Sequence, residues 1–236
     1  MSAGADMKGS VRSYRYLGLL TALYITMQLV SDVTAGKITT ILGFPVSVTV
    51  FWFPVTYIFA DVLTEVYGYA RARSVVWTVF FASVLAGLLY EVAVYLPSAP
   101  GFDAGPAYER VLGSVPRILV GGWVAVWVGG ISNDYVLAKM KLWTKGRYLW
   151  TRTVGSTIVG EFANTVLFYV IALYAVLPTK LLVASILTGW TIKVGVEVVF
   201  TPWTYWVVRR LKLLEREDYY DYSTNFNPFI VRTPPK

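Results

Sequence analysis

The chain has 236 residues, 56% of them hydrophobic and only 15% charged, which leaves too little polar surface to cover a soluble globule of that size. Its formal charge of +7 sits in loops and tails, which argues against nucleic acid as a partner and fits anionic lipid headgroups. With no cysteine and no histidine, disulfides, thiolate metal sites and the usual neutral-pH proton shuttle are excluded.

Residues 1–13 are polar and form a short predicted tail. Six apolar stretches follow, at 16–35, 46–66, 74–96, 118–138, 153–177 and 181–208. Each matches the ~20 helical residues needed to cross a hydrocarbon core of roughly 30 Å. The first lacks a small-residue cleavage site before the next segment, so it is expected to be retained. The sixth is long enough to tilt or to project beyond the bilayer. Residues 14–210 therefore read as one all-α membrane domain of six transmembrane helices, and 211–236 as a second tail.

Between the third and fourth stretches, Pro97, Pro100, Gly101, Gly105, Pro106 and Pro116 prevent a long helix and predict an outer cap or turn. Three helices on either side of it put the halves in opposite orientation, which admits a 3+3 inverted repeat. Ser31, Asp32 and Lys37 near the end of the first helix parallel Ser132, Asp134 and Lys139 near the end of the fourth. The ordinary preference for polar residues at membrane boundaries explains that match equally well.

The basic residues set the orientation. Sixteen of the 21 Lys and Arg fall in the tails, the second loop (Arg71, Arg73) and the fourth (Lys139, Lys141, Lys145, Arg147, Arg152). The opposite loops hold Lys37, Arg110, Arg117 and Lys180. By the positive-inside rule both termini are cytoplasmic.

Several polar residues inside the spans need a reason. Tyr57, Asp61, Thr64, Glu65 and Gly68 share one face of the second helix. An ionised carboxylate there costs about 2.5–3.5 kcal/mol even on lenient insertion scales. The bland explanation is an interfacial salt bridge to Arg71 or Arg73. The sixth helix carries Gly189, Lys193 and Glu197 at spacings of four, and Lys193 is the only basic residue well inside a span. Lys before Glu is the weaker order for an intrahelical pair, so Asp61, Glu65 or Glu161 on another helix is the expected partner. Glu161 and Asn164 share a face of the fifth helix, beside Gly155, Ser156 and Gly160, which read as packing residues. Asn133 and Asp134 follow Gly129 and Gly130 in the fourth. Trp52, Tyr57 and Phe168 lie near the carboxylates, where they stack a planar ligand or simply pack. There is no phosphate-binding loop, no dinucleotide-binding turn and no Gly-x-Gly-Asp, so an enzyme is disfavoured and no cofactor or metal is expected.

Residues 61–73, DVLTEVYGYARAR, resemble the queuosine precursor transporter family, small six-helix proteins grouped with vitamin-uptake-type transporters. Pro54 and Tyr57 ahead of this motif add to the likeness, as do Ser31, Trp150 with Arg152, Ser156 with Thr157, Lys193, residues 201–205 (TPWTY) and 225–229 (NFNPF). Two positions depart from the pattern: Asp32 stands where Asn is expected, and Asn164 where an acid is expected. The resemblance implies import of a 7-deazaguanine precursor, 7-cyano-7-deazaguanine or its aminomethyl relative, across the cytoplasmic membrane.

A guanine-like edge presents adjacent N–H donors that a carboxylate accepts in pairs, and its faces suit aromatic rings. On that basis Glu65 or Glu161 is expected to accept from the edge and Asn133 or Asn164 to add amide contacts. Lys193 would bind the carbonyl oxygen or neutralise the carboxylates, and Asp61 would hold Arg71, Arg73 or Lys193. Protonation of a buried Glu would allow proton symport without histidine. Two alternatives stand beside this reading, a substrate-binding subunit of an energy-coupling-factor transporter and a membrane scaffold. Homo-oligomer formation is open.

Overall fold

A computed structural model of the chain describes residues 13–35, 37–41, 44–113, 116–174 and 178–230. Except for Ser13, the predicted N-terminal tail lies outside them, as do 175–177 of the fifth stretch and 231–236 of the C-terminal tail. The described residues form α1 (Leu17–Thr34), a hairpin of β1 (Ile38–Ile41) and β2 (Phe44–Ser47), and a 3-10 turn at Val48–Phe51. After these come α2 (Phe53–Tyr67), α3 (Tyr69–Tyr95), the short α4 (Gly105–Leu112), α5 (Pro116–Trp143), α6 (Leu149–Leu173) and α7 (Thr179–Glu215).

Each of the six predicted stretches coincides with a helix, with one correction. The second was expected to be helical from Val46, but β2 and the 3-10 turn occupy 46–51. The β-branched run from Val46 to Val50 favours extended backbone, and the Ser47 hydroxyl caps the turn by accepting from the Thr49 amide at 3.3 Å. Pro54 then falls in the first turn of α2, where its missing N–H costs nothing.

Among the described residues, five segments are long and apolar enough to cross a membrane: α1, the run Val48–Tyr67, α3, α6 and α7. Helix α5, 28 residues or about 42 Å, has the length, but two Gly-Gly pairs and Ser132-Asn133-Asp134 dilute its hydropathy. The chain is thus an α-helical, multi-pass membrane protein. At 37 residues, about 55 Å, α7 outruns a bilayer core, as the sixth stretch predicted.

The run Val48–Tyr67 is 67% buried, against 17 to 33% for the other four, so α2 is the helix around which the rest assemble. Apolar burial gives little drive in lipid, so close backbone approach and polar contacts hold such a bundle together. Helices α5 and α6 supply the approach. A Cβ on Gly160 would stand 2.8 Å from Asn133 Cβ and 2.9 Å from the Gly129 carbonyl oxygen.

Between α2 and α3 the chain turns without a loop, because Gly68 adopts φ 84° and its missing Cβ leaves room for the Tyr219 ring. After α7 the tail folds back over this turn. Tyr219 donates its amide to Val66 O at 3.2 Å, Asp221 accepts from the Tyr69 amide, and Arg73 Nη1 donates to the carbonyls of Asn225 and Asn227 at 2.7 and 2.8 Å. The molecule therefore has a hairpin end and a tail end.

Candidate functional site

A cavity of about 160 Å³ lies in the hairpin half, walled by α1, the 3-10 turn, α5, α6 and α7. Its rim is hydroxyl-rich, with Ser31, Ser47, Thr49, Ser185 and Thr188, and Phe53, Phe168 and Tyr169 give it aromatic walls. Lys193 from α7 enters it from the deep side. The ammonium donates to Glu161 Oε2 at 2.9 Å, Asn164 Oδ1 at 3.1 Å and Thr165 Oγ1 at 3.3 Å, which uses all three of its N–H groups. It also lies 4.4 Å from the centre of the Phe53 ring. Of the three partners expected for Lys193, the fold selects Glu161.

One layer deeper, Asp61 of α2 faces neutral donors. Asn133 Nδ2 donates to Asp61 Oδ1 at 2.6 Å and Ser156 Oγ at 3.3 Å. Thr64 gives its hydroxyl to Asp134 Oδ1 at 2.9 Å, and Tyr57 gives its own to the Gly160 carbonyl at 3.3 Å. Several buried atoms here have no hydrogen-bond partner among the described residues: Asp61 Oδ2, Asn133 Oδ1, Asp134 Oδ2, Glu161 Oε1, and both carboxylate oxygens of Glu197. A buried polar atom left bare costs about 1–3 kcal/mol, more when charged.

One turn beyond Asp61, Glu65 is saturated. Arg152 grips it with Nε on Oε2 and Nη2 on Oε1, both at 2.8 Å, and Lys212 donates to Oε1 at 2.6 Å. Lys141 lies 3.5 Å from the same oxygen and donates to the Glu65 carbonyl, Asp218 Oδ1 and Tyr219 O. Burial alone would raise the Asp218 carboxyl, but hydrogen bonds from Lys141 and Lys212 outweigh it and hold the group below the usual carboxylate range. Tyr67 and the backbone of Tyr16 add contacts to Glu215 beside this cluster. Helices α2, α5, α6, α7 and the tail are thereby tied at the tail end.

The roles expected for the two carboxylates of α2 change accordingly. Asp61 does not hold Arg71, Arg73 or Lys193: Arg71 donates to Tyr67 O, Arg73 to the tail carbonyls, and Lys193 to Glu161. Four residues of helix advance about 6 Å along the axis. That is enough to move Glu65 into the layer of cations and leave Asp61 among amides and hydroxyls.

Sequence comparison places this geometry. Residues 47–207 match the family model described as "Putative vitamin uptake transporter". A protein of Bacillus subtilis (strain 168) named "Probable queuosine precursor transporter" is 25% identical over 198 residues, 84% of this chain and 83% of that protein. The "Queuosine precursor transporter" of Escherichia coli (strain K12) is 24% identical over 161 residues, 68% of this chain and 70% of that one. The chain belongs to the queuosine precursor transporter family. This is a family of transporters and not of enzymes. No solved structure matches the chain significantly.

The family match covers the cavity lining from Ser47 onward and the carboxylates Asp61, Glu65, Asp134, Glu161 and Glu197, leaves out the α1 wall, and stops short of Lys212, Asp218 and the tail that help to neutralise Glu65. Among the residues singled out from sequence, Asn164 and Lys193 line the cavity, and Glu161 stands directly behind Lys193. Tyr57, Asp61 and Asn133 form the layer below, and Glu65 belongs to the tail-end cluster. Trp52 does not line the cavity, whereas Phe168 does. Sequence reasoning passed over Glu197 and Arg152 as site residues. The spacing of four from Lys193 is the available signal for Glu197; for Arg152 there are its place beside Trp150 in the family likeness and its place among other loop cations, and neither says anything of its partner.

Proposed function

We propose that this protein is a secondary transporter that imports a queuosine precursor, 7-cyano-7-deazaguanine or its aminomethyl relative, across the cytoplasmic membrane by alternating access. The observation that carries this reading is the asymmetry of the bundle. A hydroxyl- and aromatic-lined cavity occupies one half, and a cation-saturated carboxylate seals the other. With both termini cytoplasmic and six spans, as the basic loops suggest, the cavity faces outward and the seal faces the cytosol. The names of the relatives support the substrate class.

In this reading the purine lies between Phe168, Tyr169 and Phe53. Lys193 exchanges its bond to Thr165 for the purine's carbonyl oxygen, Asn164 adds an amide contact, and Glu161 accepts edge N–H groups through its free Oε1. Tyr57, Asp61 and Asn133 form the next contacts on the inward path. Glu65 acts as the inner gate, meeting substrate only after its cations release. The polar centre draws on α2 from the first three helices and on α5, α6 and α7 from the last three, a placement that a 3+3 inverted repeat would also give.

Complementation tests the reading. In a host that cannot make the precursor and lacks its own importer, the chain restores deazaguanine modification of tRNA when the precursor is supplied. A well-expressed native protein that restores none overturns the substrate assignment. Loss of uptake only when ATP is depleted, or co-purification with ATPase subunits, would favour the energy-coupling-factor alternative.

A further inference from the structure

Among the buried carboxylates of the described residues, Glu197 is the one whose two oxygens are both bare. It is fully buried, one helical turn from the cavity-lining Lys193, and neither oxygen has a partner among the described residues. Helix α7 packs against α2 and α6, which carry the buried acids Asp61 and Glu161. Asp61 itself keeps Oδ2 free.

The groups facing this pair from every packed helix leave it short of positive charge. From α6 comes Glu161, already bound to Lys193 of α7. Helix α2 gives Asp61 and Tyr57, α5 gives Asp134, and α1 gives Tyr24. Of these only Lys193 is cationic, and its three N–H groups are spent on Glu161, Asn164 and Thr165. Two ionised carboxylates together in a dry site repel strongly enough that one of them takes up a proton.

We propose that Glu197 and Asp61 hold one exchangeable proton between them, and that this proton is the ion that couples to transport. The assignment deepens the transport reading and rests on it for the coupling, though not for the proton site. The proton comes from water on the cavity side and leaves to water on the tail side, so no other reactant is required. Helix α7 offers the means of movement. Thr201 gives its hydroxyl to the Glu197 carbonyl at 2.8 Å, and the next residue, Pro202, lacks the N–H that would continue the helical ladder.

The experiment uses the purified full chain in lipid vesicles, with labelled 7-cyano-7-deazaguanine as probe. With one proton per substrate, an inward pH difference of about one unit raises accumulation about tenfold. Glu197→Gln removes that gradient-driven accumulation, while exchange across the membrane, which needs no net proton movement, falls far less. Infrared spectroscopy of the same protein without substrate shows a protonated-carboxyl band that is lost in Glu197→Gln and displaced in Asp61→Asn. The second variant serves if the first does not assemble. Accumulation driven by a sodium gradient, or an unchanged infrared band in both variants, overturns the proposal. If wild-type protein takes up no deazaguanine yet the band is lost in Glu197→Gln, the substrate reading fails and the proton site stands. If uptake proceeds without the band, the reverse holds.

Discussion

Arg152 on α6 reaches across to α2 and holds both oxygens of Glu65 at 2.8 Å, with both side chains buried. The fork geometry of a guanidinium is what makes such a grip possible, and an ammonium cannot reproduce it. Removing one partner of a buried pair typically costs about 3–5 kcal/mol. Lys212 and Lys141 remain near Glu65, so Arg152→Ala should fall at or below the lower end, about 2–3 kcal/mol. Thermal melting in detergent checks this, and Arg152→Lys should recover only part of the loss. If Arg152 also gates, Arg152→Ala leaks substrate in the absence of a gradient.

The Lys193–Glu161 pair makes a different prediction, because a cavity borders the cation. Lys193→Ala leaves Glu161 buried beside the unpaired acids, so both uptake and thermal stability should fall. Adding Glu161→Gln removes the stranded charge, and melting should recover while uptake stays lost. Recovery of both in the double variant would mean that the pair only joins α6 to α7.

Much of this arrangement is legible in the sequence. Hydropathy and length locate six helices, with ends displaced by up to seven residues, since a bilayer sets their minimum length but not their ends. Spacing of three and four puts Asp61 with Glu65 and Lys193 with Glu197 on shared faces. Partner choice is another matter. It depends on how α5, α6 and α7 rotate against α2, and periodicity within one helix carries no record of that rotation. Hence Glu161 is one of three partners that the sequence leaves open to Lys193, none of the cations expected on Asp61 goes to it, and the partner of Arg152 is not legible at all. The start of α2 was missed for a local reason, because an apolar β-branched run reads equally as span or strand.

Gly160 tests whether backbone approach holds the centre together. A methyl group there meets Asn133 Cβ at 2.8 Å, the Gly129 carbonyl oxygen at 2.9 Å and the Tyr57 ring at 2.9 Å. Backbone sits on one side, so the strain is not relieved by a rotamer change. Gly160→Ala should destabilise by about 1–3 kcal/mol and disturb the Tyr57 and Asn133 contacts, lowering uptake with it. Gly18→Ala is the control, since nothing lies within 4 Å of its added Cβ. Equal melting temperatures for the two variants would show that α5 and α6 have room to separate.

Acid should loosen the tail end through Asp218. Its carboxyl is held below the ordinary value of 3.8 by Lys141 and Lys212, which overcome the opposing effect of partial burial. A group depressed in the folded state contributes stability that is fully present above its unfolded pKa and is lost as pH falls through the folded one. The clamp should therefore be intact at neutral pH and weaken only below about pH 4. Amide hydrogen exchange over residues 216–230, followed against pH, should rise in that window. Asp218→Asn should show faster exchange already at neutral pH and lose the acid-dependent step. The side chain is 43% exposed, so solvent screening keeps the effect modest and confined to the tail. An acid step of equal size in Asp218→Asn would show that the release does not come from Asp218.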